Sequence, residues 1–317
     1  MVSDKLTAVS GRVGTPLDPA VASFARFLRG ANRSPKTVTI YTDATRKLID
    51  WLARNAPEVS CWDDLRAAHL NGFTSDVLAA GRSAAYASNL YRAIQQFVKW
   101  ALAEEEMTRN PLSGTASPQV PEQPVPVLTV PQIRALFTAC EGKDYSSRRD
   151  MAIVRLFLDT GIRLAELSGL AVKDVDLDAR EALVLGKGRR TRVVVFGHKA
   201  TLALDRYLRA RAAQRRADLP DLWLSTTGRA GHGPMTSSGI YQVLERRGLA
   251  ADISGLHPHV LRHTWAHYGR LEGRLHDDEI MRLAGWRSRS MLNRYAASAA
   301  DERAREAGKR APLGDQL

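Results

Sequence analysis

A proline-rich segment divides this chain into two parts. The segment TASPQVPEQPVPVLTVPQ, residues 115–132, contains five prolines and shows neither a helical nor a strand period. Because proline has a fixed φ and no backbone N–H, such a run favours an extended, semi-rigid connection. A chain of 317 residues is also long enough for two separate hydrophobic cores. We predict a first domain at 17–112, a linker at 113–127, a second domain at 128–300 and a tail at 301–317.

The first predicted domain is a helical bundle. Residues 34–55, SPKTVTIYTDATRKLIDWLARN, carry apolar side chains at helical spacing, with Ser34 as the N-cap and Pro35 in the first turn. Residues 83–105, SAAYASNLYRAIQQFVKWALAEE, indicate another long helix with one apolar stripe. These patterns predict amphipathic helices packed on one another.

The second predicted domain is mostly helical and contains a small antiparallel sheet. Thr129 and Gln132 form a capping-box pair, and the helix RRDMAIVRLFLDTG is expected to end near Gly161. The β-branched runs EALVLGK and RTRVVVF lie on either side of Gly188 and predict a β-hairpin. Helical patterns resume after it, so the fold class is mainly α.

The charge of the chain favours a polyanionic partner. Its formal net charge is +12, its isoelectric point is near 10.0, and nucleic acid is a common partner of such surfaces. We find neither an apolar run long enough for a membrane helix nor a secretion signal, and therefore expect a cytoplasmic protein without membrane association. No P-loop or nucleotide-binding glycine fingerprint occurs, and we predict no cofactor.

The stretch HPHVLRHTWAH, from His257 to His267, suggests either a metal site or an anion site. His259, His263 and His267 share one helical face, as metal-binding histidines do. The residue after His259 is Val260 rather than the glutamate of a metalloprotease, and Arg262 would place a positive charge beside the cation. We therefore predict no metal. Histidines that only pack remain the alternative for each position taken alone.

Other parts of the chain supply groups that an anion would need. TGIRLAELSGL places Arg163 after a glycine turn, and LGKGRRTRVVVF places Lys187 at the hairpin tip. LAGWRSRSMLNRY places Tyr295 nine residues after Trp286. Together with HVLRH, which contains His259 and Arg262, this ordered set resembles the tyrosine recombinases, the family of phage integrases and chromosome-dimer resolvases.

The resemblance implies both an architecture and an activity. It implies a helical core-binding domain and a catalytic domain that form a C-shaped clamp on double-stranded DNA. The expected activity is site-specific cleavage and rejoining of DNA through a 3′-phosphotyrosyl intermediate, without metal or ATP. A tetramer on two DNA sites would be the working unit, and the sequence does not identify accessory proteins. A type IB topoisomerase and a non-catalytic DNA-binding protein on the same fold are the alternatives.

The chemistry of phosphodiester transesterification suits these residue types. Arg163 and Arg262 would neutralise the phosphate oxygens, since guanidinium is always charged and presents paired donors. Lys187 would protonate the departing 5′ oxygen, and Tyr295 would be the nucleophile. His259 and the Trp286 indole would donate hydrogen bonds to the phosphate. In most family members a histidine occupies the position of Trp286.

The remaining candidates have less specific roles. We assign His263 and His267 to packing and helix orientation. Contacts to DNA are predicted for six basic residues, namely Lys36, Arg92, Arg189, Arg190, Arg287 and Arg289.

Overall fold

The computed structural model describes residues 17–121, 125–186, 190–226, 233–271, 274–286, 288–289 and 308–309. The chain divides into two compact units, Met1–Glu122 and Gln123–Leu317, and the division falls within the proline-rich segment. Most of the described chain is helical, with one small antiparallel sheet in the second unit. The predicted fold class is therefore confirmed.

Four α-helices pack on an aromatic core in the described part of the first unit. The helices are α1 (Leu17–Gly30), α2 (Pro35–Asn55), α3 (Ala67–Ala79) and α4 (Ala84–Ala103). The ring of Phe97 lies 5.4 Å from Phe24 and 4.5 Å from Trp62 between centroids, which places three aromatic side chains at the centre of the bundle. The Ser34 hydroxyl accepts a hydrogen bond from the backbone N–H of Thr37 at 3.1 Å, so the predicted N-cap of α2 is confirmed.

The two ends of the proline-rich segment are each bonded to their own unit. Thr115 Oγ1 lies 2.8 Å from the hydroxyl of Tyr91, which is on α4. At the other end, the backbone N–H of Leu128 donates to Thr264 Oγ1 at 2.9 Å within the second unit. Ser117 Oγ also lies 2.9 Å from Ser88 Oγ on α4, so the bonds to the first unit extend at least to Ser117.

The described part of the second unit has seven α-helices and a small sheet. They are α5 (Val130–Ala139), α6 (Tyr145–Thr160), α7 (Leu164–Ser168), α8 (His198–Ala212), α9 (Ser237–Ala250), α10 (Pro258–Arg270) and α11 (Asp277–Ala284). Fully buried side chains of α6 and α10, including Ile153, Phe157 and Leu261, belong to one continuous hydrophobic core. The predicted capping box of α5 is confirmed, because Gln132 Oε1 accepts from the backbone N–H of Thr129 at 2.9 Å.

The sheet has three antiparallel strands in the order β1 (Val175–Asp176), β2 (Glu181–Leu185) and β3 (Thr191–Val195). Strand β2 pairs with β3 from Glu181–Val195 to Leu185–Thr191, and the N–H of Gly186 donates to the carbonyl of Arg190 at 2.7 Å. The predicted hairpin is confirmed in its strands. Its tip, with Lys187, Gly188 and Arg189, lies outside the described residues.

Helix α6 ends where the sequence predicts, at Gly161. This residue has φ +56°, and its N–H donates to the carbonyl of Phe157 at 2.9 Å. A Cβ at Gly161 would lie 2.2 Å from Trp265 Cε3 of α10. Glycine is therefore required both for the left-handed turn and for the close approach of α10.

A pair of glycine substitutions separates these two requirements. Gly255 also has positive φ, +69°, but nothing lies within 4 Å of a Cβ built there. We expect Gly255→Ala to lower the free energy of unfolding by about 1 kcal/mol through backbone strain. Gly161→Ala should cost about 2–4 kcal/mol because overpacking adds to the strain. Urea unfolding of both variants measures the difference, and equal losses would show that the contact with Trp265 is unimportant.

Candidate active site

A buried carboxylate lies at the centre of the candidate site. The Glu166 side chain, on α7, is 3% exposed. Its Oε1 accepts from Arg163 Nη1 at 2.9 Å, and its Oε2 accepts from the backbone N–H of Arg163 at 2.9 Å. From strand β3, Arg192 donates through Nη1 at 2.7 Å and through Nη2 at 2.8 Å. One carboxylate thus binds two guanidinium groups.

The two arginines keep Glu166 ionised. Burial alone would raise the pKa of this carboxyl group, but the hydrogen bonds and positive charges of Arg192 and Arg163 outweigh it and lower the pKa to about 2. Because the folded-state pKa lies below the ordinary value, the stability from this group is present above the ordinary pKa. That stability is lost as the pH falls toward 2.

The end of helix α11 leaves three carbonyl groups without helical partners. Gly285 has φ +64° and its N–H donates to the carbonyl of Arg282 at 3.1 Å, while the N–H of Trp286 donates to the carbonyl of Met281 at 2.9 Å. This is a Schellman motif, which caps the helix but leaves the next carbonyls along the chain available. Those carbonyls belong to Leu283, Ala284 and Gly285.

Three arginines from different elements donate to these carbonyls. Arg192 Nε donates to Leu283 O at 2.9 Å, Arg262 Nη2 to Ala284 O at 2.7 Å, and Arg163 Nη2 to Gly285 O at 2.8 Å. Cations are favoured at this end of a helix because the carbonyl dipoles point toward it. Arg262, on α10, also donates to the carbonyl of Gly161. The two predicted phosphate-binding arginines therefore converge at one helix terminus.

Trp286 and His259 complete the described part of the site. The guanidinium carbon of Arg262 lies 5.1 Å from the centroid of the buried Trp286 ring, a cation–π distance. His259, in the first turn of α10, has its pKa lowered by partial burial and by the positive charges of His257, Arg262 and Arg163. Its imidazole is therefore neutral near pH 7 and still able to donate one hydrogen bond.

The structure brings together four of the six predicted catalytic residues: Arg163, His259, Arg262 and Trp286. Lys187 and Tyr295 lie outside the described residues. Gly186, which precedes Lys187, is close to the site, since a Cβ built on it would lie 3.4 Å from Glu166 Oε1. The base of the hairpin therefore lies against the central carboxylate.

The other predicted contacts are distributed over the two units. Lys36 on α2 and Arg92 on α4 are exposed in the first unit, and Arg190 is exposed beside the hairpin tip. Arg289 is exposed and lies 3.7 Å from the Asp278 carboxylate. Arg189 and Arg287 lie outside the described residues. Their contacts with DNA stay a prediction.

The sequence interpretation missed Arg192 as a member of the site. The alternating burial of β3 places Arg192 and Val194 toward the interior, and Thr191, Val193 and Val195 outward. A charged residue at an inward position of a β-branched strand needs a partner, and that was the available signal.

The histidines of α10 do not form a metal cluster. His267 is buried, with its ring 5.2 Å from that of Tyr268, and the His259 and His263 rings are 6.1 Å apart. Within the described ranges, no three His, Cys, Asp or Glu side chains are grouped as metal ligands would be. None of the helices in the described part of the chain is long and apolar enough to span a membrane.

Comparison with known proteins defines the class. Residues 126–302 match the phage integrase family. The tyrosine recombinase XerC of Ralstonia pickettii (strain 12J) is 32% identical over 267 residues, covering 78% of this chain and 80% of the relative. The tyrosine recombinase XerC of Pseudomonas syringae pv. syringae (strain B728a) is 30% identical over 251 residues, covering 79% of this chain and 82% of the relative. The chain belongs to the phage integrase family and is a site-specific tyrosine recombinase.

Solved structures share the fold at lower sequence identity. The XerH site-specific recombinase bound to a palindromic difH substrate has a TM-score of 0.70 and 18% identity, covering 91% of this chain and 83% of that one. A lambda integrase tetramer bound to a Holliday junction has a TM-score of 0.70 and 17% identity, with the same coverage. At this level of sequence identity, the similarity shows a shared fold alone.

The electrostatics of the site predict the titration of His259. Its NMR midpoint should lie below the ordinary histidine value of about 6.5, because partial burial and, after it, neighbouring positive charges disfavour the imidazolium. His257→Asn should raise the midpoint by removing one such charge, and a bound oligonucleotide should raise it further. A midpoint at or above the ordinary value in the DNA-free protein would contradict this description.

Proposed function

We propose that this recombinase cleaves and rejoins double-stranded DNA at a specific site through a 3′-phosphotyrosyl intermediate. The observation that carries the proposal is the convergence of Arg163 and Arg262 on the last turn of α11, beside a neutral His259. Two fixed positive charges at one point suit a single phosphate of the DNA backbone.

Arg163 and Arg262 bind the scissile phosphate in this proposal. Arg163 is 35% exposed at its side chain, so a phosphate oxygen can reach its guanidinium. Arg262 is 4% exposed and is held by two carbonyls and the Trp286 ring. Such fixed donors stabilise the charge of the transition state with little reorganisation. Trp286 contributes by supporting the plane of the Arg262 guanidinium.

Tyr295 is the proposed nucleophile and Lys187 the proposed general acid. The phenol oxygen attacks phosphorus and gives its proton to water, the bond from phosphorus to the 5′ oxygen breaks, and Lys187 gives that oxygen a proton. His259 donates a hydrogen bond to a non-bridging oxygen. The phosphotyrosine ester conserves the bond energy, so that reversal of the step rejoins the strands without ATP, and the arginine charges make a metal unnecessary.

The proposed working unit is a tetramer on two DNA sites, and the structure of a lambda integrase tetramer bound to a Holliday junction supports the tetramer. We propose that residues 17–112 and 128–300 form the core-binding and catalytic domains of a C-shaped clamp, joined by the linker at 113–127. Lys36, Arg92, Arg189, Arg190, Arg287 and Arg289 would contact the DNA. The tail at 301–317 would pack on a neighbouring protomer, and the reaction would take place in the cytoplasm.

The nucleophile is tested by removing one hydroxyl group. Sequencing the DNA bound in cells identifies the site, and a nicked suicide substrate of that sequence traps the covalent adduct. Tyr295→Phe should bind this DNA normally and form no adduct. The exposed Tyr241 of α9 provides a matched control, since Tyr241→Phe should form the adduct at the normal level. Normal adduct formation by Tyr295→Phe would refute the assignment.

The general acid is tested with a better leaving group. Lys187→Ala should slow cleavage by about 10²–10⁴-fold, the usual contribution of a positioned proton donor. Replacing the bridging 5′ oxygen by sulfur should restore the rate, because a thiolate leaves without a proton. Arg262→Ala removes charge stabilisation instead and should stay slow on both substrates. An equal defect of Lys187→Ala on both substrates would make Lys187 a DNA-positioning residue.

A further inference from the structure

We propose that Arg192 is a positioning residue that fixes the base of the hairpin and so aligns Lys187 with the leaving oxygen. The proposal rests on the function proposed above, and extends it to a residue outside the six predicted catalytic positions. It assigns Arg192 no contact with DNA. Three features of its surroundings lead to this assignment.

The first feature is that each nitrogen of Arg192 donates to the protein. Nη1 and Nη2 bind the two oxygens of Glu166 at 2.7 and 2.8 Å, and Nε binds the carbonyl of Leu283 at 2.9 Å. The side chain is only 16% exposed. A bidentate pair with a buried carboxylate is a strong and directional interaction, so the orientation of this guanidinium is fixed.

The second feature is the place of Arg192 in the hairpin. Arg192 of β3 pairs with Val184 of β2. The next pair toward the hairpin tip is Leu185–Thr191, and after it comes the hydrogen bond between Gly186 and Arg190. Glu166 Oε1, which Arg192 binds, is 3.4 Å from the position of a Cβ on Gly186. The ion pair between Arg192 and Glu166 therefore joins the hairpin to α7 next to Gly186, the residue that precedes Lys187.

The third feature is that Glu166 binds two arginines with different roles. This carboxylate binds Arg163, which is exposed enough to meet a phosphate, and Arg192, which belongs to the hairpin. When Arg192 is removed, Glu166 still has its contacts with Arg163. The phosphate-binding charge should then survive while the hairpin loses its ion pair to α7. The expected defect is in proton delivery.

The sulfur substrate measures proton delivery separately. In single-turnover cleavage, we expect Arg192→Ala to be slower than the unmodified enzyme by about 10²-fold on the oxygen substrate, the effect of misplacing a reacting group by about 1 Å. On the 5′-sulfur substrate its rate should approach that of the unmodified enzyme. The double variant Arg192→Ala, Lys187→Ala should cleave the oxygen substrate no more slowly than Lys187→Ala alone, because the two residues act in one step.

A neighbouring arginine provides the matched control. Arg190 lies two residues earlier on the hairpin, is exposed, and is a proposed DNA contact. Arg190→Ala should weaken DNA binding and lower the salt dependence of log K by about one unit of slope. Arg192→Ala should leave that slope unchanged. If circular dichroism shows that Arg192→Ala does not fold, Arg192→Lys is tested in the same way. This variant keeps the positive charge and allows one hydrogen bond to Glu166.

The outcomes are distinguishable. An undiminished oxygen-substrate rate in folded Arg192→Ala, or a defect that sulfur does not relieve while Lys187→Ala is relieved, would overturn the role of Arg192 alone. Failure of sulfur to relieve Lys187→Ala would overturn the assignment of Lys187 and this inference together. Failure of the unmodified protein to form a covalent adduct would instead contradict the proposed function.

Discussion

The polar centre of the second unit depends on the ion pairs of Glu166. Without this carboxylate, the guanidinium groups of Arg163 and Arg192 would face each other at the end of α11 with only main-chain carbonyls to offset their repulsion. Removing one partner of a buried ion pair typically costs about 3–5 kcal/mol. Through Arg192 the carboxylate holds the hairpin, and through Arg163 it holds the start of α7. Both segments lead to residues with proposed roles in the chemistry.

The last turn of α11 completes this charge balance. Its three available carbonyls accept hydrogen bonds from Arg163, Arg192 and Arg262. The partial negative charge of the helix end therefore offsets the repulsion between these three guanidinium groups in the DNA-free protein. A phosphate entering beside Arg163 would meet donors already oriented by the fold. Preorganised charge of this kind stabilises a transition state because the protein need not rearrange during the reaction.

Much of this arrangement could be predicted from local sequence signals. Ser34, Gly161 and the Thr129–Gln132 pair define helix ends by short-range hydrogen bonds, and those predictions hold. Helix α3 was not predicted, because it buries only Leu70 and Phe73 and has a weak apolar period. The main-chain partners of the arginines could not be predicted, because carbonyl groups have no residue identity. The role of Arg192 was missed for a different reason: GKGRRTR resembles a solvated basic turn, although the inward position of Arg192 on β3 was a signal.

The tryptophan at position 286 changes which groups can titrate. A histidine there could exchange a proton with the phosphate, whereas indole only donates a hydrogen bond and packs against Arg262. Among the predicted catalytic residues that the structure describes, His259 is then the one whose ordinary pKa lies closest to neutral pH. Its pKa is lowered partly by Arg262 and Arg163, which are also the proposed phosphate ligands. Binding of a phosphate offsets those two charges and favours the imidazolium, so substrate binding itself should raise the basicity of His259.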